Sequence, residues 1–156
     1  MGPALLIRPY RPSDLDGVIA IFVRAIREIA ARDYNQAQVD AWARPDRNRW
    51  TQKRLDRPTW VAVVDQSLAG FTDLEASGHL DMMYVHPEFQ RLGVATALLQ
   101  SLEDTARSQG LSRIFTESSV TARPLLERRG FHVVTPQVAE SGGQRFANFS
   151  MEKLLK

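Results

Sequence analysis

The stretch His86-Pro87-Glu88-Phe89-Gln90-Arg91-Leu92-Gly93-Val94-Ala95-Thr96 joins two runs of different character. An apolar run, Leu80 to Val85, leads in, and an amphipathic run, Val94 to Ala106, leads out. This reads as strand, tight turn, helix. Small residues at positions 93 and 95 let a bulky ligand approach the main chain. A helix beginning near Val94 leaves its first N–H groups without intrahelical partners. With the positive end of the helix dipole, they form an anion site suited to a pyrophosphate. No Gly-Lys-Ser/Thr follows Gly93, so the turn is not a Walker A loop. Nor is it a Gly-x-Gly-x-x-Gly dinucleotide fingerprint. The plain alternative is a strand, turn and helix that bind nothing.

The flanking sequence sets this unit in a longer alternation. Leu5 to Tyr10 reads as a strand. Ser13-Asp14-Leu15-Asp16 has the form of a capping box with Asp for Glu. Behind it, Leu15, Val18, Ile19, Phe22, Ala25, Ile26 and Ile29 fall on one face of a helix from about Asp14 to Ala31. Gln36 to Ala43 is a second helical stretch, ended by Pro45. Residues 44 to 57 are Arg-rich, the pattern of a solvated helix face or of a basic rim for an acidic ligand. Thr59 to Val64 and Ala69 to Leu74 form a hairpin, and His79 to Val85 is the strand that reaches the turn. After the helix from Val94, Ser112 to Glu117 is a strand and Thr121 to Arg129 a short helix with Pro124 in its first turn. Phe131 to Thr135 and Arg145 to Glu152 close the chain as strands. The order is β-α-α-β-β-β-α-β-α-β-β, an α+β or mixed α/β fold on one central sheet.

Composition removes whole classes of function. With 156 residues, 44% hydrophobic and 24% charged, the chain has the make-up of a single globular domain with one core. No apolar run approaches the roughly 20 residues that span a bilayer, so no membrane role is expected. Met1-Gly2-Pro3-Ala4-Leu5 lacks a basic region followed by an apolar core, so no secretory signal is expected. The absence of cysteine excludes disulfides, thiolate metal sites and a cysteine nucleophile, and it fits a cytoplasmic protein. No metal ligands are assigned. A net charge of +2 is too mild to imply nucleic-acid binding.

Gln90, Gly93 and Ala95 match Gln/Arg-x-x-Gly-x-Gly/Ala, and the turn resembles motif A of the GNAT superfamily of acetyl-CoA-dependent N-acyltransferases. A second run is similar to that family's Asn-x-x-Ala-x-x-x-Tyr-x-x-x-Gly-Phe. It spans Ser119 to Phe131, with Ala122, Gly130 and Phe131 in register. Met151-Glu152-Lys153-Leu154 resembles the family's last strand. The resemblance covers about Leu5 to Leu155. It implies one N-acetyltransferase domain over residues 1–156, with a mostly antiparallel sheet flanked by helices. Two positions depart from the pattern. Ser119 stands for the Asn that often contacts the pantetheine arm. Leu126 stands for the Tyr that often protonates the departing thiolate, and Leu has no proton to give.

The resemblance further implies acetyl transfer from acetyl-CoA, as co-substrate, to a primary amine of a small molecule or a protein. The pyrophosphate falls to main-chain N–H groups of Arg91, Leu92, Gly93, Val94, Ala95 and Thr96. The pantetheine arm falls to the backbone of Met83 and Val85, with Ser119 and Leu126 near it. An N–H near Met83 or Tyr84 would stabilise the oxyanion. An alkylammonium with a pKa near ~10.4 must also lose a proton. His79, Asp81, Glu75 and Glu117 are the candidate bases, and His79 occupies the place of a Glu that serves some family members. Strand alternation would put His79 and Asp81 on one face. A non-catalytic acetyl-CoA-binding module is the second reading, raised by Leu126. A homodimer is compatible with either.

Overall fold

The structure is a computed structural model and describes residues 4–156. Its elements are β1 (Leu5–Pro9), α1 (Leu15–Glu28), α2 (Gln36–Trp42), α3 (Arg47–Asp56), β2 (Thr59–Val64), β3 (Ser67–Asp73), β4 (Met83–Val85), α4 (Val94–Ser108), β5 (Arg113–Ser119), α5 (Arg123–Arg128), β6 (His132–Ser141) and β7 (Gln144–Leu154). The expected order holds, with one helix added. The Arg-rich run is α3, started by Asp46, whose carboxylate accepts from the N–H groups of Asn48 and Arg49. It buries Trp50 and Arg54.

The expected Ser13–Asp16 box does not form. Asp14 instead accepts from Arg11 N–H at 2.8 Å and pairs with both Arg8 amino groups. These bonds hold a tight turn, Pro12–Asp14, ahead of α1.

The strands form two antiparallel sheets rather than one continuous sheet. Their orders are β1-β2-β3-β4 and β5-β7-β6. The sheets touch where Leu80 N–H bonds to Phe115 O and Phe115 N–H bonds to Gly78 O. Beyond that parallel bridge, at His79 and Phe115, β4 and β5 share no strand pairing, and a gap opens between them.

Helices cover both faces of the first sheet, so β2 and β3 are nearly all buried, not alternating. Val18, Ile26 and Trp50 pack with Val61 and Phe71 on one face. Val94 and Leu98 of α4 pack with Ala62, Val64 and Ala69 on the other. Gly70 permits this second approach. A Cβ there would lie 2.9 Å from both Tyr84 O and Val94 Cγ1. A third cluster, including Leu102, Ile114, Leu126, Phe131 and Met151, joins α4 and α5 to the second sheet.

Two boundaries differ from expectation. β4 starts at Met83, not at His79. The Asp73 carboxylate accepts from Asp81 N–H and Met82 N–H at 2.9 and 3.0 Å, taking bonds that a continued ladder would use. The last hairpin is longer than expected, His132–Ser141 with Gln144–Leu154. Pro136 lies within β6, an edge strand that tolerates it beside a register shift at Val133 to Thr135.

Candidate functional site

β4 runs directly into the turn that begins at His86. His86 N–H bonds to Ala69 O, Pro87–Phe89 makes one tight turn, and Gly93 starts α4. Arg91 and Gly93 both have left-handed backbone, at φ 63° and 80°. A Cβ on Gly93 would meet no protein atom within 4 Å, so the space above it is open. No side chain caps α4, which leaves its first N–H groups facing that space.

The other edge of β4 is equally open. Tyr84 sits opposite Phe71, and the flanking bonds run from Asp73 N–H to Met82 O and from His86 N–H to Ala69 O. Antiparallel alternation then turns the Tyr84 main chain toward β3 and the Met83 and Val85 main chains away from it. A cleft of about 490 Å³ occupies the gap between β4 and β5. It is lined by Met83, Tyr84, Val85, Arg91, Gly93, Val94, Ala95, Thr96 and Ser119. The Ser119 hydroxyl accepts from Ala122 N–H at 3.0 Å and keeps its own hydrogen to donate.

Two residues expected at the cofactor are not in this lining. Leu92 points its side chain to solvent, 41% exposed. Leu126 is 3% exposed in the third core cluster. The cleft face of α5 carries Leu125, Arg128 and Arg129 instead. In the sequence the two arginines suit the negative end of the short helix and carry no further signal. Here, with Arg91, they give the cleft three guanidinium groups that have no ion-pair partner among the described residues.

A second cavity, of about 280 Å³, adjoins the first. Trp42, Tyr84 and Ser119 line both. Its remaining walls are Tyr34, Glu117, Ala139, Ser141, Phe146 and Asn148. The β6–β7 hairpin supplies four of these, and its tip rests on α2. A Cβ on Gly142 (φ 56°) would lie 2.9 Å from Ala41 Cβ.

The four candidate bases fall in different places. His79 lines neither cavity. Its Nδ1 lies 2.7 Å from Glu75 Oε2 and its Nε2 2.7 Å from Glu117 Oε1, and the ring stacks on Phe115. Burial works against a charged ring, but the two carboxylates outweigh it and raise the His79 pKa above 6.5. Both nitrogens thus face carboxylates, and His79 has no direct contact with either cavity through which to meet an amine. Asp81 does not share its surroundings. The irregular backbone after His79 breaks the alternation, and Asp81 pairs with Arg57 and Lys53. Glu75 is held by the same Arg57 at 2.8 Å. Only Glu117 faces a cavity. The expected basic rim at 44–57 is largely spent on carboxylates: Arg47 on Asp16, Arg54 on Asp73, and Arg57 on Asp56, Glu75 and Asp81. Tyr84 packs edge-on to Phe22 and Trp42. Burial pushes its phenol well above the usual range, partly offset by Trp42.

The acetyltransferase (GNAT) domain family matches residues 30–154. The chain belongs to the GNAT family of acetyltransferases. It is an acyltransferase enzyme by that membership. Among its GNAT relatives, the uncharacterized N-acetyltransferase YafP of Escherichia coli K12 is 39% identical over 145 residues, 93% of each chain. A GCN5-related N-acetyltransferase from Rhodopseudomonas palustris superposes with a TM-score of 0.93 at 32% identity, covering 99% of this chain and 97% of the other. The GNAT fold is also shared with yncA of Salmonella typhimurium, a structure solved with acetyl-CoA. That match has a TM-score of 0.74 at 22% identity over 98% of this chain and 95% of the other. Among the described residues no helix is long and apolar enough to cross a membrane.

Proposed function

We propose that the chain acts as one N-acetyltransferase domain that moves an acetyl group from acetyl-CoA to a primary amine. The observation that carries this reading is the meeting of two cavities at Tyr84, Trp42 and Ser119. Acetyl-CoA occupies the β4–β5 cleft, as the acetyl-CoA bound to the yncA neighbour suggests for this fold. The main chains of Met83 and Val85 pair with the pantetheine arm as an added strand would. The N–H groups at the start of α4 take the pyrophosphate, and Arg91, Arg128 and Arg129 neutralise phosphate charge.

The amine enters the second cavity and attacks the thioester carbonyl across the shared wall. Its ammonium proton passes to Glu117, the one carboxylate lining that cavity. His79 is a positioning residue: protonated between two carboxylates, it donates to Glu117 and fixes its rotamer. The Met83 N–H, on the open edge, serves the oxyanion. The Tyr84 N–H is turned to β3 and does not. The Tyr84 phenol stands where both cavities meet. Its raised pKa keeps it protonated, so it stabilises the departing CoA thiolate as a hydrogen-bond donor, and the thiolate takes its proton from water.

A thiol-release assay with acetyl-CoA against polyamines, amino acids, aminoglycosides, simple amines and peptides tests the reaction. The expected result is amine-dependent CoA release that Glu117→Gln lowers by roughly 10²–10⁴-fold, the scale of general-base catalysis. Release independent of any amine, or unchanged in Glu117→Gln, would contradict it.

A further inference from the structure

The walls of the second cavity carry information about the acceptor, on the footing that this is the amine site. Four rings form one cluster. Tyr34 and Trp42 lie 5.4 Å apart, Tyr34 and Phe146 5.9 Å, Trp42 and Phe146 6.1 Å, and Trp42 and Tyr84 6.5 Å. The Tyr34 hydroxyl is already satisfied, donating to Ala147 O at 2.8 Å and accepting from Val120 N–H at 2.9 Å. It therefore presents a wall and not a polar partner.

The polar groups are few and of one kind. Glu117 is the single charged residue of the lining; its Oε1 lies 2.7 Å from His79 Nε2, which stands outside the lining, and no Lys, Arg or His lines the cavity itself. Asn148 Oδ1 is buried and has no hydrogen-bond partner. An acceptor left unmatched in this way is destabilising, and a ligand N–H would relieve it. The volume, about 280 Å³, lies at the lower edge of the ~300–1,000 Å³ range for drug-sized ligands.

We infer that the acceptor is a small primary monoamine with a flat apolar body, whose ammonium is held by Glu117 and Asn148 and whose body lies among Tyr34, Trp42 and Phe146. An amino acid would bring its carboxylate beside Glu117 in a cavity whose lining offers it no cationic side chain, since His79 lies outside the lining and is taken up by Glu75 and Glu117. Like charges brought together in a site cost several kcal/mol. A diamine would place its second ammonium among rings with no second carboxylate.

Three compounds separate the cases: 2-phenylethylamine, phenylalanine with the same ring and an added carboxylate, and putrescine with a second ammonium. Thiol release should give 2-phenylethylamine a kcat/KM on the order of 100-fold above phenylalanine, the scale of that charge penalty. It should also exceed putrescine. Phe146→Leu keeps an apolar wall and should narrow the gap between 2-phenylethylamine and propylamine. Calorimetry of acetyl-CoA with the same variant should be unchanged, because Phe146 does not line the cleft. Phenylalanine or putrescine acetylated as well as 2-phenylethylamine would overturn the acceptor class and leave the acetyltransferase intact. Tight acetyl-CoA binding with no amine acetylated would overturn the amine-transfer reading, and the class with it.

Discussion

His79 stands where counting back from the turn places a base, but in the folded chain both its ring nitrogens face carboxylates and it lines neither cavity. Sequence spacing located it at the start of the strand that leads to the turn, but not its partners, because Glu75 and Glu117 reach it from a turn and from β5. The same limit applies to Leu126. Its register with the family pattern rests on Ala122, Gly130 and Phe131, and only packing reveals that it points into the core while Leu125 faces the cleft. The His79 cluster has a pH signature. Burial lowers the imidazole pKa, the Glu75 and Glu117 carboxylates raise it more, and the native value lies above 6.5. A raised native pKa gives stabilisation that is full below the unfolded value near ~6.5 and is lost as pH rises through the native value. The charged groups around the ring are Glu75, itself tied to Arg57, and Glu117; Arg113 lies across Phe115, on which the ring stacks. Thermal melts of wild type and His79→Asn between about pH 5.5 and 9 should show the wild-type advantage shrinking as pH rises. An advantage that grows with pH would contradict a charged His79.

At the scale of elements, periodicity was enough where a helix buries an apolar stripe, as α1 and α4 do. It was not enough for α3, which buries only Trp50 and Arg54 and otherwise reads as charge. The buried arginine is what the pattern concealed. Arg54 Nη2 meets Asp73 Oδ2 at 2.8 Å with both side chains fully buried, and the guanidinium lies near the Trp50 and Phe71 rings. Asp73 also receives the two N–H groups that end β4 early. One ion pair thus joins α3 to the irregular backbone ahead of the cleft. Arg54→Ala would leave the Asp73 carboxylate buried with only the more distant Arg57, at 3.8 Å, as a cation. Urea unfolding should register a loss of about 3–5 kcal/mol, the usual cost of removing one partner of a buried pair. A loss below ~1 kcal/mol would mean that Asp73 is satisfied by the backbone alone.

For the whole molecule, the fold was legible from the order of elements and the two short motifs, because each marks a place where backbone must approach backbone or ligand. The division of the strands into two sheets was not, since it depends on bonds that β4 and β5 do not make. That division creates the cleft, and the cleft is where the function stands or falls. Gly93 offers the most direct access to it. The position has φ 80° and open space above it, so Gly93→Glu places a carboxylate where the pyrophosphate is assigned. The left-handed backbone adds a cost of roughly 1–2 kcal/mol to folding, so circular dichroism must first establish that the variant is folded. Calorimetric titration of acetyl-CoA into wild type should give saturable binding at one site. In folded Gly93→Glu, affinity should fall on the order of 100-fold, as expected for like charges forced together. Unchanged acetyl-CoA affinity in the folded variant would contradict the placement of the cofactor at the start of α4.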